Sequence, residues 1–129
     1  MAALTVAARS DKPYDSQRQN SGVTAVTVSG VGTDASEVAA AVASKQHIIT
    51  GGYISTDGAA AEYLQILSAA GEIARLDLPA SATVVLLPKG IYTDNGEALN
   101  FKKSGAVAAI FGQVEYVTIP AGEYVGILP

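Results

Sequence analysis

Short stretches that alternate apolar and polar residues, each closed by a glycine-containing turn, run through the middle of this chain and leave few folds open to it. Residues 73–78 (Ile-Ala-Arg-Leu-Asp-Leu) alternate cleanly and place Arg75 and Asp77 on a wet face. Residues 98–102 (Ala-Leu-Asn-Phe-Lys) repeat the pattern with Leu99 and Phe101 inward. Residues 23–28 (Val-Thr-Ala-Val-Thr-Val) form a β-branched run closed by Ser29-Gly30-Val31-Gly32. Residues 47–50 lead into Gly51-Gly52-Tyr53-Ile54-Ser55, where the glycine pair predicts a bulge or a close backbone approach. Val84-Val85-Leu86-Leu87, between Pro79 and Pro88, reads as a strand that is fully buried or lies at an interface. Residues 106–117 read as one long or broken strand, with Gly112 marking a bulge. Asp57-Gly58, Ala70-Gly71, Lys89-Gly90, Asn95-Gly96 and Ser104-Gly105 supply the turns. Strands spaced in this way predict an all-β domain, a sandwich or a barrel.

Two segments carry competing signals. Asp34-Ala35-Ser36-Glu37 fits a capping box, and Val38 and Val42 stand four apart as on a helix. Residues 59–70 also show helical spacing (Tyr63, Ile66, Leu67, Ala70), with Gly71 placed to end a helix. Against this, residues 62–67 followed by Ser-Ala-Ala-Gly-Glu and an alternating run read as a β-hairpin. The short spacing to neighbouring strands tips both segments to strand.

The ends differ from the body. Residues 10–21 hold no aliphatic side chain and cannot feed a core, so residues 1–21 read as an N-terminal arm with a short apolar tip and a polar connector. Residues 22–119 are the folded body. Residues 120–129 form a C-terminal tail whose Tyr124, Val125, Ile127 and Leu128 must cover something, either its own sheet or a neighbouring subunit.

Hydrophobic residues make up 49% of the chain and charged ones 16%, which excludes a disordered chain, and the absence of cysteine removes disulfides, thiolate metal sites and a cysteine nucleophile together. Eight basic residues against twelve acidic ones give a net charge of −4. The basic residues are scattered, and the adjacent pair Lys102-Lys103 reads as solvating a strand end, so neither nucleic acid nor an anionic membrane surface is expected as a partner. No basic leader precedes the first apolar run, and no uninterrupted stretch is long enough to span a bilayer as a helix. Synthesis and folding in a cytoplasm are the expectation.

No constellation of catalytic residues emerges. His47 is the only histidine; it starts a strand, and no Gly-x-Ser-x-Gly elbow accompanies it. Without cysteine or a second histidine it cannot complete an ordinary zinc site. Gly30-Val31-Gly32-Thr33 has two glycines of a phosphate-cradling loop but no Gly-Lys-Ser/Thr ending, and reads as a turn between strands. Asp94-Asn95-Gly96-Glu97 places oxygen ligands around a glycine, yet lacks calcium-loop spacing and reads as a tight hairpin turn. Tyr14, Tyr53, Tyr92, Tyr116 and Tyr124 leave a sugar-stacking site conceivable in the absence of tryptophan. No cofactor, metal or enzymatic activity is expected.

The order of segments carries a resemblance. Residues 42–55, the hairpin 63–67 to 73–79, residues 87–92 and residues 96–107 together resemble small β-sandwich virion proteins of tailed bacteriophages, the head decoration or cement proteins and related minor structural proteins. The resemblance covers about residues 36–119 and consists of turn and strand patterns. It implies an antiparallel, jelly-roll-like β-sandwich, a homotrimer, the major capsid protein as partner and a place on the outer capsid surface of the virion. It carries no catalytic residues. The arm and tail lie outside it; the apolar tip (Leu4, Val6) or the tail (Tyr124, Val125, Ile127, Leu128) is expected to clamp the capsid or a neighbouring subunit. The alternative is a receptor- or glycan-binding module of a phage tail or fibre, which would need exposed tyrosines gathered at one end of the sandwich.

Overall fold

The computed structural model describes residues 22–122. Eight strands follow one another: β1 (Val23–Ser29), β2 (Ser36–Ala39), β3 (Lys45–Thr56), β4 (Glu62–Ser68), β5 (Gly71–Leu78), β6 (Thr83–Leu86), β7 (Leu99–Lys103) and β8 (Ile110–Pro120). They pair antiparallel into two four-stranded sheets, ordered β1-β8-β3-β6 and β2-β7-β4-β5. This order, in which successive strands mostly change sheet, is that of a jelly roll. Both segments with mixed helical signals are strands, and β4 and β5 form the expected hairpin, turning at Ala69-Ala70 with Ala69 at φ 52°. Arg75 and Asp77 are exposed as expected.

Alternation builds the core. Ile54 on β3, Ile110 and Val114 on β8, and Val28 on β1 face Leu64 and Ile66 on β4, Leu78 on β5, and Leu99 and Phe101 on β7. Most are fully buried, each contributing roughly 1.5–3 kcal/mol of apolar burial.

Two glycines let strands approach where no side chain fits. A Cβ on Gly112 would lie 2.1 Å from the Tyr53 carbonyl oxygen. Gly112 is in regular register with Ile54 and Val28, so the bulge expected there is absent, and close packing of backbones explains the glycine instead. Gly52, at φ 122°, would place a Cβ 2.2 Å from the Gln113 carbonyl oxygen. The bulge falls beside it, between Ile49 and Gly51.

Three other expectations change. Residues 106–109 are a loop, so the last strand begins at Ile110. Asn95-Gly96 does turn the chain, but in a crossover between sheets and not in a hairpin. After β6, residues 87–96 run along the edge of β3: Leu87 N–H bonds to the Gly52 carbonyl, Gly90 N–H to Ile49, Thr93 N–H to His47 and Gly96 N–H to Lys45. The chain then passes to β7 in the other sheet. Finally, Lys103 is buried, not solvating a strand end. It follows Leu99 and Phe101 on the inward side of β7, donates to the Ala108 carbonyl and faces Glu62, with Nζ 3.9 Å from Oε1.

Candidate assembly surface

Among the described residues, His47, the 30–33 loop and the 94–97 turn are each tied into the fold by hydrogen bonds. His47 is buried on β3, its Nε2 2.7 Å from the Ala40 carbonyl oxygen and its Nδ1 2.8 Å from the Thr118 hydroxyl. A carbonyl can only accept, so Nε2 carries a proton and donates it to Ala40. Tyr116 packs edge-on against the ring at 5.5 Å. With both nitrogens engaged and no carboxylate bonded to it among the described residues, this histidine is a structural group. Gly30–Thr33 links β1 to β2 with no helix behind it, and its Gly32 carbonyl accepts the Lys103 N–H. The 94–97 turn is pinned to β4: Ser68 Oγ donates to Glu97 Oε1 at 2.6 Å and accepts the Asp94 N–H at 2.8 Å. No cluster of three or more metal-ligating residues occurs among the described residues.

Leu4, Val6, Tyr14, Tyr124, Val125, Ile127 and Leu128 lie outside the described residues. The tyrosines that are described do not gather at one end. Tyr53 sits on the outer face of β3, Tyr63 on the outer face of β4 beneath the Arg75 guanidinium (4.0 Å), and Tyr116 packs against the core. Tyr92 and Asp94 share a depression of about 280 Å³ with Ile73, Gly90 and Ile91.

The two outer faces of the sandwich differ sharply in chemistry. On the β2-β7-β4-β5 sheet the outward side chains include Gln65, Arg75, Asp77, Asn100 and Lys102, and Glu72 accepts hydrogen bonds from Arg75 and Gln65. The Arg75 and Gln65 contacts hold the Glu72 carboxyl below its ordinary range. On the other sheet, Ile110, Gly112 and Val114 point inward, so Phe111 points out. Register places Phe111 opposite Ser55, and Ser55 opposite Val84; the next row joins Gln113, Tyr53 and Leu86. Leu86 is 74% exposed, Val84 60% and Phe111 53%. The run 84–87 is therefore not a fully buried strand; only Leu87, just past the end of β6, is in the core. The sequence left open whether residues 84–87 are buried or lie at an interface, because an unbroken apolar run does not show which side is covered. The signal that was available lay in β8, where alternation from Ile110 and Val114 turns Phe111 outward.

No family model matches this chain, and no curated protein matches it. Among solved structures, a chain described with the words "Bacillus endospore appendages form a novel family of disulfide-linked pili" is similar over 92% of this chain and 98% of that one, at 12% identity and a TM-score of 0.42.

Proposed function

We propose that this chain is a non-enzymatic structural subunit of a virion, a capsid decoration protein that binds the outer head lattice of a tailed bacteriophage as an oligomer, with a homotrimer as the expected state. The observation that carries the reading is a set of exposed apolar side chains on the outer face of one sheet: Phe111 and Val84 flank Ser55 in one row, and Leu86 lies beside Tyr53 in the next, which ends on Gln113. Monomeric domains scatter their exposed apolar residues, whereas contiguous ones mark contact surfaces. A decoration protein needs such a surface, because many weak contacts on a repetitive lattice add through avidity. The sequence resemblance supplies the particle; the face supplies a means of binding it.

Copies of the protein per particle, counted by mass spectrometry against the major coat protein, test the proposal. A simple fraction of the coat number is expected, and Leu86→Asp should release the protein from particles without lowering its melting temperature. A handful of copies per particle would favour the receptor- or glycan-binding alternative, for which the Tyr92–Asp94 depression is the observation in favour. Absence from particles would end the virion reading.

A further inference from the structure

The four sheet edges are guarded unequally. A sheet edge exposes unpaired backbone N–H and C=O groups, and natural edges are kept from pairing by charge, proline, bulges or shortness. β5 carries Glu72, Arg75 and Asp77. β2 is four residues long, bears Glu37 and shifts register between Glu37 and Ala39. β6 is also four residues long, with Pro88 two residues past its end. β1 has none of these devices. It is seven residues, Val-Thr-Ala-Val-Thr-Val-Ser, uncharged and free of proline, and its pairing with β8 is regular from Val23 to Ser29. Five of its seven residues are exposed, and among the described residues only β8 pairs with it.

We infer that β1 is a strand-accepting edge, and that its occupant is the segment 2–8 of a second copy of this chain. That segment, Ala-Ala-Leu-Thr-Val-Ala-Ala, is uncharged and has the period of a strand: Ala2, Leu4, Val6 and Ala8 fall on one side, Ala3, Thr5 and Ala7 on the other. Added to β1 it would let main-chain hydrogen bonds hold the strand while Leu4 and Val6 extend the inward row of Val26 and Val28, the usual division of labour in strand addition.

The connector favours a neighbour's edge over the chain's own. Residues 9–22 separate the segment from β1, whereas a strand folding back antiparallel on its neighbour needs only about two to five residues. Fully extended, a connector of this length spans about 45 Å. A domain of this size has a radius of gyration of about 13 Å, so the reach covers an adjacent copy. Each copy then donates one segment and accepts one, a head-to-tail contact that closes when the rotation between copies permits a ring. The inference concerns association of the chain with itself and holds whether or not the protein binds a particle, so its failure and that of the particle reading are separable.

Native mass spectrometry and amide hydrogen exchange on the purified full chain test it. Association is expected in the full chain and lost on deleting residues 1–9 or in the double variant Leu4→Pro/Val6→Pro, with amides of residues 23–29 exchanging at least about tenfold faster in the deleted form. Thr27→Lys, at an exposed position of β1, should abolish association without changing the melting temperature measured at dilutions where the parent is also monomeric. A peptide of residues 1–14 added to the deleted protein should restore protection to residues 23–29. Three results would overturn the inference. One is association unchanged by the deletion, which would point to β1 pairing with β1 or to the apolar outer face. Another is protection of residues 23–29 in the full chain that persists at dilutions where it is monomeric, which would mean that the segment covers its own edge. The third is equal exchange at residues 23–29 in both forms.

Discussion

Replacing Lys103 with methionine removes half of a buried ion pair and keeps nearly all of the side chain's volume. Both partners are almost fully enclosed, at 4% and 5% exposure for Lys103 and Glu62, with Nζ 3.9 Å from Oε1. At an effective dielectric near 20 that separation gives roughly 4 kcal/mol of attraction. Desolvating two charges costs several kcal/mol per ion, so the intact pair contributes little net stability. The single variant is a different matter. Oε2 of Glu62 accepts the Val107 and Ala108 N–H groups at 3.0 and 3.1 Å, but Oε1 has no hydrogen-bond partner and depends on the lysine charge. Methionine leaves that buried oxygen without a compensating charge and strips the Ala108 carbonyl of its donor. The expected loss at pH 7 is about 3–5 kcal/mol, a large part of the stability of a domain this size. Glu62→Gln/Lys103→Met, which removes both charges, should lie within about 1.5 kcal/mol of the parent. Urea unfolding followed by circular dichroism measures both, at concentrations where the midpoint no longer depends on concentration. A single variant that loses under about 1 kcal/mol would refute the reasoning, as would a double variant as unstable as the single.

Other perturbations separate backbone packing, core volume and charge. Gly112→Ala must push a Cβ against the Tyr53 carbonyl at 2.1 Å and should cost about 2–3 kcal/mol, whereas Gly32→Ala, with nothing within 4 Å, should change stability by less than about 0.5 kcal/mol; thermal melts compare the two. Phe101→Ala, which empties a fully buried site between the sheets, should lose about 3–5 kcal/mol by the same urea titration. Asp57 is held below its ordinary value by N–H groups of Ala59 and then Ala109. Its contribution is present above the unfolded-state value and lost as pH falls through the lower folded-state one. Asp57→Asn should therefore flatten that part of the acid limb of a stability–pH profile while leaving the slope near neutrality unchanged.

How much of this could be read from the chain depended on whether one face of each element meets water. β5 and most of β7 were legible because a half-buried strand writes its burial into alternation, as Arg75 and Asp77 against Leu76 and Leu78 show. The 84–87 run carried no such contrast, and its exposure is decided by what lies over it in space. Lys103 shows the opposite failure: counting on by two from Leu99 and Phe101 places it inward, but its charge argued for solvent. Its partner Glu62 stands in the same relation to Leu64 and Ile66, so two apparent violations of the pattern, far apart in the chain, explain each other once the sheets are paired. The course of residues 87–96 along β3 left no trace in side-chain pattern, since backbone bonds hold most of it.

The unguarded features fall on one sheet. The outer face of β2-β7-β4-β5 is covered by charged and amide side chains, and its two edges carry charge or end after four residues. The other sheet has both the bare edge at β1 and, in two neighbouring rows across β8, β3 and β6, the exposed apolar side chains of Phe111, Val84 and Leu86. These two surfaces are geometrically independent, because an edge is extended within the plane of a sheet while a face is covered from above it. A strand added at β1 would leave Phe111, Val84 and Leu86 open, and something docked on those side chains would leave β1 open. A ring closed through the β1 edges would thus present several copies of this face at once. Occupying those faces together against a repetitive partner raises the effective concentration of each later contact, so a face too small to bind firmly alone becomes sufficient in the ring. The deletion that abolishes association should then also weaken attachment to any repetitive partner by more than the loss of one contact, while Leu86→Asp should abolish attachment and leave the ring intact.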